Sequence, residues 1–294
     1  MSDVAKFKEY LAEPRFRIAL DDMVHASLRE AMQATTGEKF APSAQVANGE
    51  NVLSLLNAYE EAYRSLQSYF VLLARWGTSD HMTTVRSLVA RASDSINRSE
   101  GGSTIRLALR WYPLNMLTYS AGITALAFEN FAAFSAVHSV RVAAEYRRGE
   151  MTSPSVVVAA DAIRDAGSGF ASLPGHERHR VPMSEYLLRG LQKCLDDLVG
   201  LGASYEAAFD RYEMLRSLLY CDYTNSGWGL LGRYAWKHLS EEERGPYACF
   251  RKEVEEQRDQ WGPLKAGLFQ GSYARFEQTA KKFESEGLAR MSRF

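Results

Sequence analysis

The chain has 294 residues, 46% of them hydrophobic and 24% charged, with a formal net charge of −1. That composition excludes a disordered chain. The near-zero balance, with basic residues scattered apart from Arg147-Arg148, Arg178-His179-Arg180 and Lys281-Lys282, argues against a nucleic-acid partner. Cys194, Cys221 and Cys249 form no CxxC pair, which fits reduced thiols in a cytoplasmic protein. The charged opening MSDVAKFKEYLAEPR does not read as a signal peptide.

In chain order the elements are helical. Ile18, Met23, Val24, Leu28, Ala31 and Met32 make one face, stopped at Gly37. The stripe Val52, Leu56, Tyr59, Tyr63, Leu66, Phe70 and Leu73 alternates spacings of four and three, with Glu60, Glu61, Arg64 and Gln67 turned to water or a partner. Val85, Leu88, Val89, Ala92 and Ile96 form another face that ends before Gly101-Gly102. A helix from Thr104 is interrupted at Pro113. Trp111 to Phe128 carries no charge, yet its Asn, Thr, Ser and Gly residues suit a buried core helix better than a membrane span. Phe131 to Tyr146 continues as a small-residue helix, and Ser153-Pro154 caps one running from Val156 to Ala166. The run Val156-Val157-Val158 is the only strand-like signal.

Residues 167–183 (GSGFASLPGHERHRVPM) read as a loop between two helical halves. Beyond it come faces at Leu187, Leu191, Cys194, Leu195 and Leu198, then at Tyr205, Phe209, Tyr212, Leu215 and Leu219. Asn225 to Gly232 is a glycine-rich turn. Ser240 to Glu243 matches a capping box, ahead of Phe250, Val254, Gln257 and Trp261. Ser272 caps a last helix with Tyr273, Phe276, Ala280 and Phe283 on one face.

Phosphate loops, dinucleotide fingerprints, nucleophile elbows and zinc-protease motifs are absent from the sequence. His176 and His179 flank Glu177 but have no further ligand types nearby, and Asp22 with His25 lacks the second copy that a di-iron helix pair needs. Arg233 and His238 have the Arg-x4-His form of helical HEPN-type ribonucleases, in which His would move a proton and Arg would steady phosphate charge. With 26 arginines and six histidines and three spacings allowed, on the order of 1.6 such pairs arise by chance, and two exist, the other being Arg75 with His81. Glu129 reads as a boundary between helices. The last third concentrates Trp228, Trp236 and Trp261, which belong to the residue types that anchor interfaces.

Five segments in order, YLAEPRFRIALDDMVHASLREAM, LLARWG, GGSTIRLALRWYPLNMLTYSAGITALA, FDRYEMLRSLLYCDY and WGPLKAGLFQGS, carry a resemblance. Together they resemble a poorly characterised helical region of large bacterial proteins, where it follows SIR2-like or Schlafen/AlbA-like effector domains in apparent anti-phage defence systems. The resemblance implies work alongside an effector domain and brings no catalytic residues with it.

The expectation is an all-α array of about ten to twelve helices with no significant sheet, in halves 1–166 and 184–294 joined by 167–183. Its expected role is a non-enzymatic sensing, scaffolding or assembly module, plausible in a bacterial defence complex. It would be cytoplasmic, without cofactor or metal, and would bind a protein partner or itself through Trp228, Arg233, Trp236 and Trp261. The alternatives are a ribonuclease using Arg233 and His238, and a small-molecule sensor with an aromatic pocket.

Overall fold

A computed structural model describes residues 3–44, 48–98, 100–144, 151–241 and 244–289, with side chains throughout except at 238–241. The fold is all-α. The first half runs α1 (Asp3–Ala12), α2 (Arg17–Ala34), α3 (Gly49–Trp76), α4 (Met82–Ile96), α5 (Thr104–Leu109), α6 (Tyr112–Ala127) and α7 (Phe131–His138). Strands β1 (Arg141–Ala143) and β2 (Thr152–Pro154) then pair antiparallel, with Val142 opposite Ser153. After them come α8 (Ser155–Ile163), α9 (Gly167–Ala171), α10 (Pro182–Val199), α11 (Tyr205–Thr224), α12 (Arg233–Glu241), α13 (Pro246–Gln257), α14 (Gly262–Lys265) and α15 (Tyr273–Phe283).

At the centre lies α6, packed against α3, α7, α10 and α11. Pro113 sits in its first turn, where a missing N–H leaves no helical bond unmade. Every residue from Tyr112 to Leu126 is buried. Its hydroxyls are satisfied by the turn before them: Thr118 donates to the Asn115 carbonyl (3.0 Å), Ser120 to Met116 (2.9 Å) and Thr124 to Ser120 (2.8 Å). Neighbouring helices, rather than lipid, cover this uncharged stretch. No helix among the described residues is long and apolar enough to cross a membrane. Glu129 follows at a φ of 57°, the break between α6 and α7.

The stripe of α3 is buried throughout, and Asn48 caps the helix by accepting from the Asn51 N–H (3.0 Å). One polar position departs from expectation. Gln67 is buried rather than solvated, because the α3 face it occupies meets α6, and there it donates to Ser120 Oγ (2.9 Å).

Other departures have local causes. Ile18, assigned to a core face, is 79% exposed in the first turn of α2. That helix ends at Ala34 rather than Gly37, since Thr35 turns its hydroxyl back onto the Ala31 carbonyl (3.0 Å) and closes the last turn. The helix expected to reach Tyr146 stops at His138, where the β-branched residues around Val142 extend into β1. Tyr146 itself lies outside the described residues. Ser153 and Pro154 complete β2, and α8 begins one residue later at Ser155, whose hydroxyl donates to the Val137 carbonyl (2.7 Å). Segment 167–183 is not all loop. Its α9 exists despite two glycines because Phe170 is buried and Gly169 packs beside Ile105 and Val52. Ser240 falls in the last turn of α12 instead of opening α13, which starts at Pro246, where Pro suits the first turn. The rest of that capping box, Glu242 and Glu243, lies outside the described residues. One hydrophobic core runs from Phe7 to Leu288, so the two halves share it across 167–183.

Candidate functional site

A cavity of about 560 Å³ opens where the halves meet. Its walls come from the end of α8, the α9 segment, the first turn of α10 and the glycine-rich stretch 229–232, with α6 and α11 beneath. That size is ordinary for a small-molecule site.

The polar floor is built from two helices. On α11, Glu213 and Arg216 are three residues apart and share a face; on α6, Asn115 and Tyr119 are four apart and do the same. Arg216 donates to Asn115 Oδ1 (3.0 Å) and makes a longer contact with the Tyr119 oxygen (3.4 Å). Asn115 is held in that orientation because its NH2 donates to the Trp111 and Ala159 carbonyls (3.0 and 3.3 Å). Tyr119 donates to Glu213 Oε1 (3.1 Å). Glu213 Oε2 accepts from Ser184 Oγ (3.0 Å) and from the Arg233 backbone N–H (3.2 Å).

Electrostatics set this floor apart. Arg216 is 4% exposed and remains charged, since a guanidinium does not release its proton in a protein. Among the described residues, its hydrogen-bond partners are the neutral oxygens of Asn115 and Tyr119; the Glu213 carboxyl acts on it through space, across the Tyr119 hydroxyl that both groups share, and is not directly paired with it. Glu213 is 3% exposed, and burial, with Asp210 nearby, pushes its carboxyl up to about 7. Behind Arg216, burial and the guanidinium charge hold His138 neutral, down to about 3. Gly232 is required here: a Cβ on it would stand 2.0 Å from Glu213 Oε2.

The anticipated site residues separate. Trp228 is 47% exposed on the glycine-rich stretch. Trp236 is half-buried, with the Arg180 guanidinium 4.1 Å from its ring centre. Trp261 is no surface anchor: it is 1% exposed, packs edge-on against Phe250 and Phe276, and donates its indole N–H to Glu253 (3.0 Å). Arg233 lies among Glu206 (2.9 Å), Glu185 (3.7 Å) and Asp210 (3.8 Å), so its charge is already answered by carboxylates that would repel a phosphate. His238 belongs to α12, and its side chain lies outside the described residues. His176 and His179 approach at 3.2 Å between ring nitrogens, but no group of three or more His, Cys, Asp or Glu suited to a metal occurs among the described residues.

Sequence reading passed over Tyr119, Ser184, Glu213 and Arg216. One signal was there. Arg216 falls among Tyr212, Leu215, Leu219 and Tyr220 on the apolar side of α11, outside the polar stripe of Glu206, Asp210 and Glu213. Burial pushes the Cys194 thiol up to about 11 and the Cys221 thiol up to about 12, which holds both as thiols at neutral pH; Cys249 is exposed. The chain matches no family model, no curated protein and no solved structure.

Proposed function

We propose that the chain is a helical sensing module that binds a small molecule in the cavity between its halves and presents the result to a protein partner. A single observation carries this reading. The stretch that walls the cavity at 229–232 is continuous with Trp228, the exposed tryptophan. A ligand seated against Leu230 and Leu231 would therefore act on the surface that displays Trp228. Support also comes from the floor, where a few convergent polar groups meet apolar walls in the manner of ligand sites. The ribonuclease alternative has less support, since the Arg233 guanidinium faces three carboxylates. Assembly beside an effector domain, which the sequence resemblance implies, would give the module a partner to inform.

Hydrogen exchange of the full chain, with and without compounds from a chemically mixed small-molecule library, tests this. A binding compound should slow exchange in 226–232 and at the start of α10, and should alter capture of a partner by the wild type but not by Trp228→Ala. Protection that appears only elsewhere, or no binder in any charge class, would overturn the reading.

A further inference from the structure

Resting on that reading, we infer that the cavity takes a small organic monoanion, a carboxylate on an apolar body, with the carboxylate docked on Arg216. Burying an unpaired charge costs several kcal/mol in general, and natural proteins seldom retain one without a counterion. Arg216 is buried at the floor with two of its five N–H donors engaged, both by neutral oxygens. An incoming carboxylate supplies a directly paired charge, which Glu213 across the Tyr119 hydroxyl does not, and accepts from the remaining donors in a planar, paired geometry. Of the charged residues lining the cavity, Arg164 is paired with Asp161 (2.5 Å), Arg180 lies over the Trp236 ring, and Arg216 and Glu213 stand at the floor. Among the described residues, Arg180 and Arg216 are thus the positive charges of the lining without a carboxylate at ion-pair distance. The walls at Ile163, Leu230 and Leu231 are apolar and suit a hydrocarbon or aromatic body.

Glu213 selects the charge of the head group. A dianionic phosphate brings twice the charge against this carboxyl and exceeds what the single Arg216 charge can neutralise, whereas a monoanion does not. Facing Glu213 are Tyr119 from α6, Ser184 from α10, the Arg233 backbone and Tyr234 from α12, and Tyr205, Asp210, Tyr212 and Arg216 on its own helix. Of these only Asp210 adds negative charge, and it is tied to Lys237 (2.7 Å). The carboxyl of Glu213 is thus the group whose proton responds to an anion arriving at Arg216, and anion binding draws a proton onto it. Affinity should rise as pH falls from 8 to 6.

Matched pairs test the inference by titration calorimetry on the full chain: 4-phenylbutyrate, indole-3-propionate and octanoate against their neutral amides, with 4-phenylbutylamine as a cation. At least one acid should bind ten-fold or more tightly than its amide. Arg216→Met should reduce it to the level of the amide. Should that variant fail to fold, Ser168→Glu decides, because Ser168 is an exposed lining residue where an added charge repels anions without disturbing the core. It should weaken the acid about three-fold or more and leave the amide unchanged. Glu213→Gln should bind the acid more tightly than wild type at pH 8 and equally at pH 5. Equal binding of acids and amides would overturn the anion while leaving a cavity that binds small molecules. So would an acid whose affinity ignores both Arg216→Met and Ser168→Glu. No binding by acids, amides or the amine would overturn the sensing reading as well.

Discussion

Two groups of charge on α11 lie one turn apart and are completed differently. The first, Glu206 and Asp210, meets Arg233 and Lys237 from α12, and every charge there finds an opposite within the chain. The second, Glu213 and Arg216, meets Tyr119, Asn115 and Ser184, all neutral, beside a cavity. Asp210 in the first is as buried as Glu213 and Arg216 in the second, and burial alone therefore says little about purpose. Saturation separates them. A charge answered from within holds helices together, and a charge left with neutral partners in a concave site is arranged for something that arrives later.

The largest expected effect tests the saturated side. Asp210 is 3% exposed at the side chain and accepts from Lys237 (2.7 Å). Asp210→Ala leaves Arg233 and Lys237 with only outer carboxylates. It should destabilise the fold by about 4 kcal/mol, the usual penalty for breaking a buried pair from one side. Denaturant unfolding at neutral pH measures it. A loss under about 1 kcal/mol would make that cluster as expendable as a surface ion pair and erase the contrast.

Glu213 tests the unsaturated side through pH. Its folded carboxyl titrates at about 7 against 4.5 when free, so the folded state holds the proton more tightly than the unfolded state. Stability is therefore fully present below about 4.5, falls by on the order of 1.4 kcal/mol per pH unit up to about 7, and stays lower above that. Glu213→Gln keeps an acceptor for Ser184 and carries no charge. It should remove this slope and leave the variant about 3 kcal/mol more stable than wild type at pH 8, with no advantage at pH 4. Parallel stability curves for the two proteins across that range would show that Glu213 ionises freely inside the core.

Periodicity made the helices legible and concealed the site for one reason: it reports which face is apolar, not what a buried polar residue touches. The α3 stripe and the burial of α6 followed directly from spacing and from the absence of charge. Ends were less legible, because Thr35 and the β1–β2 ribbon depend on side-chain bonds and strand pairing that no helical period encodes. Tryptophan count does not separate surface from core in the last third. Trp261 and Trp228 look alike in sequence, yet one fills the core and the other faces water. Glu213 and Arg216 lie in a helix with little amphipathicity, and only the packing of α6, α10 and α12 around it shows where they go.

Arg216→Met is a smaller perturbation. It removes a desolvated charge, which favours folding, and leaves Asn115 Oδ1 without its donor, which opposes it. The net loss should be about 1 kcal/mol at pH 6 by denaturant unfolding. Without the nearby cation Glu213 should hold its proton more tightly still, so the decline in stability should extend above pH 7. A loss above about 4 kcal/mol would place Arg216 with the structural charges of the Asp210 cluster.

The smallest effect on stability, and the one that ties the open cluster to the surface, belongs to Trp228. Its stretch is held from beneath: Gly227 N–H donates to Glu286 (3.2 Å), and a Cβ on Gly229 would stand 2.2 Å from Ser217 Oγ. These close approaches fix the path of the backbone, so the indole can be removed without loosening it. Trp228→Ala should change stability by no more than about 0.5 kcal/mol, as for an exposed position, whereas Trp261→Ala in the core should cost about 4 kcal/mol. The informative measurement is hydrogen exchange at 229–232 in the two variants. Trp228→Ala should keep the wild-type protection there, because the wall of the cavity rests on α11 and α15 and not on the exposed ring. Exchange that quickens at 229–232 together with a drop in stability would instead make Trp228 part of the packing, and the surface it displays would have no independent role.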